Sequence, residues 1–186
     1  QEGGASIIEL GIPYTDPQAD GATIQQTNQV AIKAGTSDII QCLEMVKAAR
    51  SQGLTVPVVL MGYYNPFYQF GIDNLCEKAK EYGADGFIVV DLPPEEGADL
   101  AKSCNKYGLS NVPLVAPNTT DERIAHLADG ATFIYCVSVV GITGSRSELP
   151  SDLGDFIARV RSKTDLPLAV GFGISTPQMV QSVANI

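Results

Sequence analysis

The chain has 186 residues, of which 45% are hydrophobic and 18% are charged, and its formal net charge is −9. This length and composition suffice for one globular core, and the excess of acidic residues argues against a nucleic-acid partner, which would need clustered Lys and Arg. The sequence shows neither an apolar run long enough to span a bilayer nor a signal-peptide pattern, so we expect a cytoplasmic protein with no membrane partner.

Short apolar strands alternate with amphipathic segments along the chain. Each strand candidate is a β-branched or aliphatic run that ends at Gly or Pro, and the segments around Leu43 and Phe156 show helical spacing of apolar residues. The predicted strands are residues 7–10, 56–61, 86–90, 112–115, 132–137 and 168–171. The alternation indicates an α/β fold of parallel βα units. It fits an open doubly wound sheet and part of an eight-stranded barrel equally well.

Three carboxylates lie in or just behind the first predicted strand. Glu9 lies in an apolar run, and Asp16 and Asp20 lie in the Pro- and Gly-rich loop that follows. Each has an ordinary explanation, because Glu9 could pair with a buried cation, Asp16 could cap a turn before Pro17, and Asp20 could begin a helix. These explanations do not account for the three acids together.

The cysteines and the single histidine give no sign of a metal site. The four cysteines are widely spaced among apolar neighbours, and we predict that they are reduced thiols in the core: Cys42, Cys76, Cys104 and Cys136. His126 is the one histidine and lies in a helical segment. Neither a Cys/His metal site nor a Ser-His-Asp triad is therefore supported.

Two glycine-containing loops follow the last two predicted strands. The long loop from Gly141 to Pro150 is typical of a mobile flap or of an ordinary flexible βα loop. Residues 171–175 end a strand and precede a helix that begins at Thr176 with Pro177 in its first turn. Such a turn can bind an anion at the helix N-terminus, although Gly-x-Gly before a helix is often only a tight turn.

Six motifs in one collinear order resemble the α subunit of tryptophan synthase. They are ELGIPYTDPQADG at 9–21, MGYYNP at 61–66, DLPPEE at 91–96, VAPNTTDER at 115–123, GITG at 141–144 and AVGFGIS at 169–175. The second and third read most like the fungal members, in which the α and β activities share one polypeptide. The resemblance implies a (β/α)8 TIM barrel that is incomplete here, with about six βα units and with the first and last strands missing. Residues 1–186 would be a single partial domain, which we expect to be unstable or nearly inactive alone.

The resemblance also implies a lyase of tryptophan biosynthesis. Its substrate would be indole-3-glycerol phosphate, cleaved by retro-aldol chemistry to indole and glyceraldehyde 3-phosphate. Glu9, flanked by Ile8 and Leu10, is expected to be poorly hydrated, which raises its pKa and suits an acid-base catalyst. Asp20, in a polar loop, is expected to stay ionised and to accept a hydrogen bond from the indole N–H as positive charge develops on the ring.

Further substrate-binding residues are implied where the sequence matches the family pattern. Tyr135 would face the substrate, although a tyrosine in a strand is more often part of the core. Thr143 would pair with Asp20 when the flap closes, and Gly144 would donate its backbone N–H to the phosphate. The remaining phosphate-binding residues would be Gly171, Gly173 and Ser175. Tyr63 and Asn65 are weaker candidates.

The resemblance implies no cofactor and no metal in this domain. Pyridoxal phosphate would belong to a partner, the tryptophan synthase β subunit or a fused β domain, which takes up the indole. Two other functions stay open on the sequence. One is a different phosphate-binding barrel, such as a sugar-phosphate isomerase or epimerase, and the other is a scaffold that docks on the β partner without turnover.

Overall fold

The computed structural model describes residues 1–36, 38–138, 149–171 and 173–186. The strands in these residues are β1 (Ile8–Gly11), β2 (Val58–Gly62), β3 (Gly86–Val89), β4 (Ser110–Asn111), β5 (Leu114–Val115), β6 (Ile134–Val137) and β7 (Leu168–Gly171). The helices are α1 (Ala22–Lys33), α2 (Ile39–Ser51), α3 (Tyr64–Phe70), α4 (Ile72–Tyr82), α5 (Ala98–Tyr107), α6 (Asp121–Ala128), α7 (Leu153–Arg161) and α8 (Pro177–Ala184).

Every predicted strand has a counterpart in the structure. The predicted strand at 168–171 is found with those bounds, and most of the others are shifted or shortened by one or two residues at an end. The predicted strand at 112–115 is wrong as a single element, because β4 ends at Asn111 and β5 begins at Leu114. Pro113 lies between them and has no N–H to donate to a strand ladder.

The chain forms two compact units. The first consists of Gln1–Pro17 and Gln26–Asn111, and the second consists of Gln18–Gln25 and Val112–Ile186. The first contains a four-stranded parallel sheet in the order β1-β2-β3-β4, and the second contains a three-stranded parallel sheet in the order β5-β6-β7. The prediction of one domain over residues 1–186 stays a prediction.

In the first unit, one face of the sheet is covered by helices. Leu60 and Phe87 are fully buried and belong to one apolar cluster with residues of α2, α4 and α5. Ile8 and Leu10 pack against the same cluster. Because successive side chains of a strand point to opposite faces, residues such as Glu9 project from the other face of this sheet.

Arg50 fixes the N-terminal ends of β2 and β3. Arg50 pairs with Asp85 at 2.7 Å, and the Asp85 carboxylate also accepts the N–H of Val58 at 2.8 Å. The guanidinium donates to three backbone carbonyls, those of Gly83 at 3.0 Å, Leu54 at 2.9 Å and Val56 at 2.7 Å. These bonds satisfy loop carbonyls and thereby set where the strands begin.

In the second unit, helices α6 and α7 cover one face of the three-stranded sheet. Ile134 and Cys136 of β6 are fully buried in one apolar cluster with Ile124 of α6 and Val160 of α7. Tyr135 alternates with these two residues along β6 and therefore lies on the opposite face. The register pairs Tyr135 with Ala169, and Val137 with Gly171.

All four cysteines are buried and free, as the sequence predicts. Two of them are neighbours, since Cys76 of α4 and Cys104 of α5 have their sulfur atoms 4.0 Å apart. His126 lies in α6, also as predicted. Within the described residues, no helix is long and apolar enough to cross a membrane, and no cluster of three or more His, Cys, Asp or Glu could hold a metal ion.

Candidate active site

Glu9 is the second of the four residues of β1, and it projects from the face of the sheet opposite the helices. β1 is the end strand of the four-stranded sheet, and Glu9 is in register with Val59 of β2. The residue is exposed over part of its surface. Ile8 and Leu10, its apolar neighbours in the sequence, pack toward the helices on the other face.

The pKa of the Glu9 carboxyl is nevertheless raised above its ordinary value of 4.5, because surrounding protein atoms remove part of its hydration. The direction agrees with the role of a proton donor. The expected loss of hydration and rise in pKa are thus confirmed in direction.

The raised pKa predicts a pH-dependent effect on stability. A folded state that holds the Glu9 proton more tightly than the unfolded chain loses stability as pH rises through the folded pKa. Glu9→Gln cannot ionise, so we expect its urea midpoint, relative to wild type, to be higher at pH 7 than at pH 4. Urea unfolding of both proteins at the two pH values measures this. A relative midpoint that falls between pH 4 and pH 7 would show that the folded pKa is lowered.

Aromatic and polar side chains meet just beyond the carboxyl ends of β1 and β2. The rings of Tyr14 and Tyr63 lie 5.3 Å apart between centroids, and Tyr63 is only 6% exposed. Asn65 donates its side-chain N–H to the Tyr14 hydroxyl at 3.3 Å, and Asn28 of α1 accepts the backbone N–H of Tyr14 at 2.9 Å. The sequence indicated Tyr63 and Asn65 as candidates but did not indicate Tyr14 or Asn28.

A surface cavity of about 240 Å³ lies beyond the carboxyl ends of β2 and β3. It is lined by Tyr64, Asn65, Tyr68, Asp91, Leu92 and Glu96. Asp91 accepts the backbone N–H of Tyr64 at 2.7 Å, which ties the two loops together. Burial raises the pKa of Tyr64, and the charges of Asp99 and Glu96 add to the rise. The MGYYNP and DLPPEE motifs supply all of this lining except Tyr68, so the position of the two motifs at the ends of strands was the signal available in the sequence.

Asp20 lies in the second unit and precedes α1 by two residues. It is half-buried, and its backbone carbonyl accepts the Gln25 side-chain amide at 2.8 Å. The carbonyl of the next residue, Gly21, accepts the backbone N–H of Gln25 at 3.0 Å. The ordinary explanation that Asp20 stands at a helix start is thus correct for its position.

Tyr135 and Gly171 are in direct contact on the uncovered face of the second sheet. A Cβ added at Gly171 would overlap the hydroxyl and ring of Tyr135, and its distance to Cε1 would be only 2.6 Å. The Tyr135 ring therefore lies across the Gly171 backbone at the carboxyl ends of β6 and β7. The structure thus brings together two of the predicted substrate-binding residues.

The contact predicts that Gly171→Ala is destabilising. The new methyl group must push the Tyr135 ring aside, and overpacking of this kind costs about 1–3 kcal/mol. Gly154→Ala is the matched control, since a Cβ at Gly154 of α7 meets no atom within 4 Å and alanine favours helix. Urea unfolding should show a loss of stability for the first variant and none for the second. Equal stability of the two variants would contradict the steric account.

The turn after β7 has the predicted form. Gly173 has a φ of 77°, a left-handed conformation that favours glycine. Thr176 caps α8 by accepting the N–H of Met179 at 3.2 Å, and Pro177 opens the helix. The exposed Ser175 lies in this turn. Thr143 and Gly144 of the predicted flap lie outside the described residues.

Known proteins similar to this chain share one description. A family model for the tryptophan synthase alpha chain matches residues 1–186. Tryptophan synthase of Saccharomyces cerevisiae is 52% identical over 190 residues, which are 100% of this chain and 26% of that protein. The tryptophan synthase alpha chain of Roseiflexus castenholzii is 47% identical over 186 residues, which are 100% of this chain and 71% of that protein. The chain thus spans about a quarter of the yeast relative.

Solved structures give the same result. A mutant tryptophan synthase alpha subunit from Pyrococcus furiosus has a TM-score of 0.89 at 38% identity, covering 99% of this chain and 74% of that one. A solved structure described as the Pyrococcus furiosus tryptophan synthase α2β2 complex has a TM-score of 0.89 at 38% identity, and the match covers 99% of this chain and 73% of that one. These neighbours confirm the predicted fold class, an α/β chain of the (β/α)8 TIM-barrel type.

Proposed function

Because this chain belongs to the tryptophan synthase alpha chain family, we propose that it provides the lyase site for cleavage of indole-3-glycerol phosphate to indole and glyceraldehyde 3-phosphate. The observation that carries the proposal is the position of Glu9, which lies in β1 two residues before the strand ends, projects from the face of the parallel sheet opposite the helices, and has a raised pKa. Active sites of βα barrels are built at the carboxyl ends of their strands.

In the first step, the Glu9 carboxyl protonates C3 of the indole ring. The ring becomes cationic, and the Asp20 carboxylate accepts a hydrogen bond from the ring N–H and stabilises this charge. Without protonation, the carbon–carbon bond could break only by expelling an indole carbanion.

In the second step, the bond between C3 and the glycerol carbon breaks. Its electron pair returns to the ring and restores neutral indole, while the hydroxyl on the glycerol carbon loses its proton and becomes the aldehyde. That proton returns to the Glu9 carboxylate, directly or through water, and regenerates the acid. Protons and electrons therefore balance over one turnover.

The phosphate group is assigned to the second unit. The turn that contains Gly171, Gly173 and Ser175 ends at the N-terminus of α8, where backbone N–H groups lack intrahelical acceptors. Tyr135 lies against this turn and is assigned to the substrate pocket. Thr143 is assigned to pair with Asp20, and the backbone N–H of Gly144 is assigned to donate to the phosphate.

The same proposal includes a β partner, either a separate subunit or a fused domain, that carries pyridoxal phosphate and uses the indole. Two similarities support it. The yeast relative is named tryptophan synthase and is much longer than this chain, and one similar solved structure is described as an α2β2 complex. This chain itself is assigned no cofactor.

The test is product formation from indole-3-glycerol phosphate by the full-length protein, including any residues outside 1–186. We expect indole and glyceraldehyde 3-phosphate in equal amounts. Isomerisation of a sugar phosphate without indole release would favour a different barrel enzyme. Substrate binding without turnover would favour a scaffold. Either result would overturn the proposal.

A further inference from the structure

The segment between the two proposed catalytic carboxylates is held at Tyr14 by contacts from two other parts of the chain. Residues 12–21 connect β1 to α1 and join Glu9 to Asp20 along the chain. Ile12 still pairs with the sheet, since its N–H donates to the Met61 carbonyl at 2.8 Å. Two residues later, Tyr14 leaves the sheet, and side chains rather than strand pairing hold it.

The first contact comes from α1. Asn28 lies within this helix, and its Oδ1 accepts the backbone N–H of Tyr14 at 2.9 Å in a partly buried position. A backbone N–H in a loop needs an acceptor when it is shielded from water, and an amide oxygen on a helix supplies one in a fixed place. The bond therefore ties the loop backbone to α1.

The other contacts come from the segment after β2. The ring of Tyr63 is buried and lies 5.3 Å from the Tyr14 ring at an interplanar angle of 35°. Asn65 adds a hydrogen bond to the Tyr14 hydroxyl at 3.3 Å, which is long and exposed. The ring contact is thus the stronger of the two, since exposed hydrogen bonds of this length contribute little.

We propose that Asn28 and Tyr63 are positioning residues, which fix Tyr14 and thereby hold residues 12–17, the part of this segment that belongs to the first unit, in the conformation needed for turnover. The inference rests on the proposed function, since residues 12–17 directly follow the strand that carries Glu9. Neither residue touches the reacting atoms in this role. Misplacement of a catalytic segment lowers kcat even where its carboxylates are intact.

Asn28 offers a matched pair of variants. Asn28→Ala removes the acceptor for the Tyr14 N–H, whereas Asn28→Asp keeps an oxygen in its place. Alanine favours helix more than asparagine does, so Asn28→Ala should not weaken α1 itself. In the full-length protein we expect Asn28→Ala to lower kcat for indole release about 5- to 10-fold, the scale of one net hydrogen bond, with a fall in the thermal midpoint no larger than the loss of that one bond explains. Asn28→Asp should stay within about twofold of wild type.

Amide hydrogen exchange at Tyr14 is measured on the same three proteins. We expect faster exchange in Asn28→Ala and unchanged exchange in Asn28→Asp. Wild-type kcat in Asn28→Ala, or equal exchange in all three proteins, would overturn the inference. If the wild type releases no indole, the proposed function fails, and exchange alone decides whether Asn28 fixes Tyr14.

Discussion

Glu9→Gln should lower kcat for indole release by about 10² or more, the usual scale for loss of a general acid. Glutamine keeps the size and hydrogen-bonding capacity of the side chain but has no acidic proton for C3 of the ring. Substrate binding should change much less than kcat, because protonation occurs on the way to the transition state. Steady-state kinetics with indole-3-glycerol phosphate in the full-length protein measures both quantities.

Glu44→Gln is the matched control for this variant. Glu44 lies on α2, is exposed, and differs from Glu9 in having no place in the proposed site. It loses the same negative charge, so any general effect of net charge on substrate affinity appears in both variants. Turnover by Glu9→Gln within about threefold of the control would remove Glu9 from the role of acid.

Asp20→Asn should also reduce kcat by about 10² or more, because a preorganised carboxylate is worth most where charge develops in the transition state. Asparagine can still accept a hydrogen bond from the ring N–H, but it offers no net charge to the cationic ring. The hydrogen bond from the Gln25 side-chain amide to the Asp20 backbone carbonyl does not involve the substituted group, so the start of α1 should persist. Kinetics and circular dichroism of the variant measure the two expectations.

Asp16→Asn separates an effect that is specific to the Asp20 carboxylate from a general requirement for negative charge in this loop. Asp16 lies in the same loop, is exposed, and accepts the Thr15 hydroxyl at 2.5 Å. We expect this neutralised carboxylate to leave kcat within about threefold of wild type. If Asp16→Asn and Asp20→Asn lose turnover equally, the loop requires negative charge in general and the assignment of Asp20 as the stabiliser is wrong.

The strand pattern was predictable because strands buried in parallel sheets read as continuous aliphatic runs. The run before Gly171 gave β7 with its bounds, and Thr176 with Pro177 gave the start of α8. The break between β4 and β5 was also visible in the sequence as Pro113. It was missed because the apolar run around the proline was read as one strand.

The reduced hydration of Glu9 was predicted correctly in direction, but its neighbours in the chain are not what causes it. Ile8 and Leu10 are apolar because they pack on the helix-covered face, and alternation places Glu9 on the other face. Whether that face is dry depends on which other segments cover it, which a local pattern does not contain.

The contacts around Tyr14 were missed for a related reason. Tyr14 is separated from Asn28 by 14 positions and from Asn65 by 51 positions along the chain. Each residue alone is an ordinary loop or helix residue, and only the fold brings them together. The contact between Tyr135 and Gly171 likewise depends on the register of β6 with β7.

The proton affinity of Glu9 is the property on which the lyase mechanism depends most directly. It can be measured by a 13C NMR titration of the glutamate carboxyl carbons in the full-length protein, with Glu9→Gln to assign the resonance. We predict that Glu9 titrates above its ordinary pKa of 4.5. A Glu9 that titrates at or below that value would be a carboxylate at neutral pH with no enhanced ability to hold a proton, and it would contradict the assignment of the proton donor.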